Sequence, residues 1–180
     1  MAIAGLTDDL ARQPSLLPDW TVGHVLTHLA RNADAMSRRI RGATVGETVD
    51  QYVGGRAGRA AEIEAGASLT ARAIVADVAT TSAELDSLFE TMPDDVWDRM
   101  VSTVGGGEHA VSQLPFRRWR EVRVHLVDLG LGDTPADWSD DLVDRLLPRL
   151  TASLAERCDQ RALVAWALGR GPAPDLSPWA

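Results

Sequence analysis

Apolar residues recur at helical spacing along most of this chain. In "TVGHVLTHLARNADAMSRRIRG", Val22, Val25, Leu26, Leu29, Ala33, Met36 and Ile40 form one stripe. Thr21 stands where an N-cap belongs, Trp20 and Val25 are placed as a hydrophobic staple, and Gly42 marks the stop. "SLTARAIVADVATTSAELDSLFETM" predicts a second long helix, with Ser68 as N-cap and Pro93 beyond its end. Pro115 opens a third, which runs to Leu129 and stops at Gly130. "DDLVDRLLPRLTASLAERC" predicts a fourth, interrupted near Pro148. "TDDLARQ", "GRAAEIEAGA" and "RALVAWALG" predict short helices, the last before a Pro-rich tail. The helical period fails near 96–113, where alternation around a triple glycine predicts a small β-hairpin or an ordered loop. The expected fold is mainly α, a four-helix bundle.

Composition narrows the function. The chain has 180 residues and a formal charge of −8, which argues against nucleic acid as the main partner. All 18 basic residues are arginine, so Schiff-base chemistry on a protein lysine is excluded. A single cysteine, Cys158, rules out an intrachain disulfide and reads as a small boundary residue. No apolar run approaches the roughly 20 residues that span a bilayer. The start lacks the basic and apolar regions of a signal peptide. The expectation is a cytoplasmic protein with no membrane partner.

Two helices carry candidate chemistry. At about 100° per residue, Glu121, His125, Leu129, Val122 and Leu126 share one arc, the packing face. A buried carboxylate is costly unless paired or metal-bound, and a spacing of four lets Glu121 and His125 reach one ion. On the "HLARNAD" helix, His28 flanks the apolar stripe. If the two helices are neighbours, His28, Glu121 and His125 make a three-ligand site with an open fourth position, as in catalytic zinc centres. The plainer alternative is a hydrogen-bonded Glu–His pair beside a boundary histidine. His24, four residues before His28, is a competing ligand further from the stripe. Asn32 or Asp128 could orient a ligand imidazole, although Asp128 equally suits an exposed helix end. Arg117 lies nearer the ligand face, Arg120 away from it and in solvent. His109, in "GGGEHA", is expected on a surface loop. Tyr52 and Arg59 lie in the Gly-rich segment, placed to cover the site.

"LLPDWTVGHVLTHLARNADAM" together with "RRWREVRVHLVDLGLGDTPADW" resembles the mycothiol-dependent maleylpyruvate isomerase family of actinobacteria, whose members share the DinB-like metal-binding four-helix bundle. The likeness extends through "AEIEAGA" to "LVAWALGRGP". It implies zinc, or another divalent metal, on His28, Glu121 and His125, and mycothiol as the thiol that the metal activates. It implies isomerisation of maleylpyruvate by reversible thiol addition, or thiol S-transfer to another small electrophile. Arg170 matches a family arginine expected near the substrate. Two departures are expected: a shortened N-terminus and a truncated C-terminal domain. The implied organisation is a bundle over 1–156 and a remnant over 157–180. A groove left by the shortened N-terminus would suit a second copy, making a homodimer. Non-catalytic scaffolding and metal-dependent hydrolysis are the alternative functions.

Overall fold

The computed structural model describes residues 3–177, and among them seven α-helices and one two-stranded sheet. In order these are α1 (Asp8–Ala11), α2 (Val22–Thr44), α3 (Gly55–Ala67), α4 (Ala71–Thr91), β1 (Met100–Ser102), β2 (Glu108–Ala110), α5 (Leu114–Asp128), α6 (Asp140–Arg157) and α7 (Gln160–Ala167). The backbone divides into two units, Met1–Pro135 and Ala136–Ala180. The expected boundary at 156/157 falls at the end of α6, inside the second unit.

In the first unit α2 is the central helix, packed against α3, α4 and α5. Its start is set by Thr21, whose hydroxyl accepts from His24 N–H while His24 Nδ1 accepts from Thr21 N–H at 3.2 Å. This is a capping box with histidine in the place usually held by Glu or Gln. Thr70, not Ser68, caps α4, accepting from Ala73 N–H. Ser68 instead donates to Ala65 O at the end of α3. Asp8 Oδ1 accepts from Ala71 N–H at 2.7 Å and fastens α1 to the start of α4. Gly66 lets α3 approach α2 closely, since a Cβ there would collide with the Thr27 methyl group.

The predicted hairpin forms, with β1 and β2 antiparallel and Val101 opposite His109. That register turns both inward, and His109 is buried, not on a surface loop. Its Nδ1–H donates to Ala110 O, and its Nε2 faces the buried guanidinium of Arg39 at 3.4 Å. Arg39 also donates to Ser102 O at 2.9 Å, so this pair fastens the hairpin to α2.

The apolar core of this unit falls into two clusters. One joins Val22, Val25 and Leu26 of α2 to Ala71 and Ile74 of α4, with Leu129. The other joins Ala33, Met36 and Ile40 to Leu85, Leu114 and the hairpin residue Val101. Between them α2 carries His28 and Asn32, and α5 carries Arg118, Glu121 and His125. The bundle therefore has a polar waist.

In the second unit α6 is continuous through Pro148, where the sequence suggested an interruption. Pro148 is exposed, so water can serve the carbonyl it leaves without an N–H donor. Ser177 N–H donates to Arg157 O, closing the tail back onto α6. The final residues of the Pro-rich tail lie outside the described residues.

Candidate metal centre

The polar waist brings together the three residues that the two helix faces selected. His28 Nε2 lies 3.1 Å from His125 Nε2 and 3.2 Å from Glu121 Oε2, and His125 Nε2 lies 3.6 Å from Glu121 Oε2. Tetrahedral ligands about 2.0–2.1 Å from one zinc ion stand about 3.3–3.4 Å apart. The observed triangle matches that spacing, and two imidazole nitrogens with one carboxylate oxygen form a donor set suited to zinc and its neighbours. The residues present therefore fit a divalent ion. His28 is buried, while Glu121 and His125 each keep 18% of their side-chain surface exposed, so one side opens outward.

His24 does not join the triangle. Its Nδ1 is used in the α2 cap, and its Nε2 faces Glu64 Oε2 at 3.2 Å. Capping chemistry, not distance from the stripe, removes it from competition.

Each candidate ligand has an outer partner. Asp128 Oδ2 accepts from His125 Nδ1–H at 2.8 Å, which leaves the His125 Nε2 lone pair facing the centre. Arg120 donates to Glu121 Oε1 at 2.6 Å, leaving Oε2 to the histidines. Arg120 is thus a clamp on Glu121, not a solvated residue. The wheel places its Cα on the far side of α5, but the long side chain reaches back around the helix. Burial alone would raise the Glu121 pKa, yet its contacts with His125, His28 and Arg120 outweigh it and hold the carboxyl far below its usual range. Burial lowers the His28 pKa, against the Glu121 hydrogen bond, and the charges near it on His125 and Arg59 add to the lowering. At neutral pH Glu121 is therefore an anion and His28 an uncharged imidazole.

Arg59 comes from α3 to the same place. Its Nη2 lies 3.0 Å from His28 Nδ1, and its Cζ lies 5.9 Å from the Trp20 ring centre and 5.7 Å from that of Tyr52. Tyr52 is buried and reaches the centre through Arg59. Asn32 Oδ1 accepts from Arg118 Nη1 at 3.1 Å, so its carbonyl is tied to a different partner than His28. Arg118 was not singled out by the sequence reading. It is buried on α5 and also donates to Leu29 O at 2.7 Å and Ser82 Oγ at 3.0 Å, joining α2, α4 and α5 one turn from Glu121. Arg170 lies exposed in the second unit, donating to Gly169 O.

Among the described residues no helix is long and apolar enough to cross a membrane. A comparison with curated proteins gives no match. Two solved structures match with a TM-score of 0.81 at 24% identity, covering 96% of this chain and 88% of theirs. One is described as the mycothiol-dependent maleylpyruvate isomerase, the other as a histidine-to-alanine mutant of it. At that identity the likeness establishes the fold, including the DinB-like bundle. The sequence model described as the mycothiol maleylpyruvate isomerase N-terminal domain matches residues 2–130, which contain α1 to α5 and all three candidate ligands. By that match, the chain belongs to the mycothiol maleylpyruvate isomerase N-terminal domain family.

Proposed function

We propose that this protein is a metal-dependent isomerase that brings a mycothiol-type thiol to a small, carboxylate-bearing alkene such as maleylpyruvate. His28, Glu121 and His125 would hold the ion, zinc by preference. The single observation that carries the reading is the near-equilateral triangle of Nε2, Nε2 and Oε2 in the waist of a family-typical bundle. A bound divalent cation lowers the pKa of a thiol it touches and so supplies thiolate at neutral pH. Thiolate addition to a conjugated cis double bond leaves a single bond that rotates, and expulsion of the same thiolate returns the trans alkene. No protein nucleophile is consumed, in keeping with a lone Cys158 whose thiol donates to Leu154 O.

The chain's own residues set up that chemistry. Asp128 fixes the His125 tautomer, Arg120 orients Glu121, and Arg118 holds the two ligand-bearing helices in register. Arg59, 3.0 Å from His28 Nδ1, and Tyr52 behind it are the candidates for contact with the thiol or substrate. The family resemblance adds Arg170 as a candidate for meeting the substrate, and its place one turn from His28 keeps Asn32 as a candidate for orienting a ligand imidazole. Pairing of two copies is a separate proposal, tested by sedimentation equilibrium.

Metal analysis of protein purified without added metal, with turnover of maleylpyruvate plus mycothiol, tests the reading. The parent is expected to hold stoichiometric zinc and to isomerise. A His28→Ala/His125→Ala variant that retained parental zinc would overturn the ligand assignment. A zinc-loaded parent that bound thiol without turnover would overturn the isomerase reading.

A further inference from the structure

The contacts at the two ring nitrogens of His28 define what Arg59 can do. A guanidinium has N–H donors and no acceptor. The 3.0 Å contact from Arg59 Nη2 therefore requires a lone pair on His28 Nδ1. A neutral imidazole with its lone pair on Nδ1 carries its proton on Nε2. That proton points at Glu121 Oε2 and His125 Nε2, at 3.2 and 3.1 Å, where it finds acceptors. His125 has the opposite tautomer, since its Nδ1–H is given to Asp128. The hydrogen-bond chain from Arg59 through His28 to the other two ligands is complete and self-consistent.

Metal coordination needs the reverse arrangement at His28. An imidazole bound through Nε2 carries its proton on Nδ1 and offers Arg59 no acceptor. The Arg59–His28 hydrogen bond and a metal on His28 Nε2 therefore exclude each other. An expelled guanidinium would stay close by, because its Cζ lies 5.9 Å from the Trp20 ring centre and 5.7 Å from that of Tyr52, within cation–π reach of both. A carboxylate is the group that a guanidinium takes best, bidentately.

We propose that Arg59 is a latch that competes with the metal for His28 and, once displaced, becomes the residue that receives a carboxylate of the substrate. Metal loading then turns a hydrogen bond inside the site into a binding group at its mouth. This rests on the metal-centre reading above and deepens it: it assigns Arg59 to substrate carboxylate, not to thiol.

Imidazole 15N shifts, zinc competition titration and maleate binding test it together. In metal-stripped parent His28 is expected as the Nε2–H tautomer and His125 as the Nδ1–H tautomer. Zinc should convert His28 to Nδ1–H. Arg59→Ala should lose the Nε2–H preference of His28 before zinc is added, a change that mere removal of a nearby charge would not produce. It should also bind zinc about tenfold tighter, the scale of one lost charge-assisted hydrogen bond. Zinc-loaded parent should bind maleate at least about tenfold more tightly than zinc-loaded Arg59→Ala, with Arg59→Lys between them. The proposal is overturned if stripped parent already holds His28 as Nδ1–H, if Arg59→Ala binds zinc no tighter than parent, or if it binds maleate equally. A parent that binds no zinc at His28 fails the metal reading instead, and the tautomer comparison still decides whether Arg59 holds His28.

Discussion

Asp128→Asn should separate metal binding from folding, because the two respond to it with opposite sign. Asp128 accepts from His125 Nδ1–H at 2.8 Å, and both side chains are about one-fifth exposed. A hydrogen bond to a charged acceptor contributes about 1.5–3 kcal/mol and a neutral one about 0.5–1.5 kcal/mol. Asn keeps a carbonyl acceptor and loses the charge, so the difference is about 1–2 kcal/mol, trimmed by solvent. The bond tightens when coordination polarises the imidazole, so most of that difference falls on the loaded state. Zinc affinity should drop about 5–30-fold. Folding without metal should move the other way. Asp128 is the last residue of α5, where the helix dipole disfavours an anion by about 0.3–1 kcal/mol. Its backbone carbonyl, which accepts from Leu16 N–H, is untouched. Zinc competition titration and urea unfolding of metal-stripped protein, both at pH 8 where free imidazole is neutral, make the comparison. Parental zinc affinity in Asp128→Asn, or a metal-free stability loss above about 1 kcal/mol, would refute the assigned role.

Arg118→Met should lower stability by about 1–3 kcal/mol in urea unfolding, because Leu29 O and Asn32 Oδ1 lose a buried donor. It should also weaken zinc binding, since α2 and α5 lose the tie beside the triad. Gly66→Ala forces a methyl into Thr27 and should cost about 1–3 kcal/mol, and Thr27→Ala in the same chain should recover most of it, a coupling read from a double-mutant cycle. Burial pushes the His109 pKa down, helped by the nearby Arg117 and Arg39 charges and opposed by its bond to Ala110 O. The unfolded chain therefore takes up the proton first as pH falls below about 6.5, and stability drops from there toward the lower folded pKa with a slope of at most about 1.4 kcal/mol per pH unit from this group. His109→Gln should flatten that slope in denaturation curves taken between pH 7 and 5.

The helices were legible because their apolar stripes are long, and the candidate ligand pair because Glu121 and His125 sit on a stripe that should be apolar. What escaped the sequence reading escaped for identifiable reasons. A helical wheel places Cα atoms, so it set Arg120 on the wet side although a long side chain can round the helix to its neighbour Glu121. The triple glycine argued for an exposed loop at His109. The two-residue period of a hairpin would have paired it inward with Val101, but only once the register was known. Arg118 was passed over because a lone arginine on a helix is usually solvated. Nothing local reveals that it will find three acceptors on two other helices. The stripe already favoured His28 over His24, but that His24 closes a capping box was not legible there.

The waist itself explains why the site is legible at all. α2 interrupts its apolar packing at His28 and Asn32, α4 at Ser82, and α5 from Arg118 to His125, all between the same two clusters. A sequence selected only for stability would fill that level with aliphatic side chains, since buried ionic groups gain little over well-packed apolar ones. Instead polar groups there are paired with one another: Arg118 with Asn32 and Leu29, Arg120 with Glu121, Asp128 with His125, Arg59 with His28. Such pairing offsets the cost of burying charge while three metal-type donors are held within 3.6 Å of one another. His28 has conflicting obligations under our proposal, since it would serve either Arg59 or an ion, and there binding and conformation would be coupled.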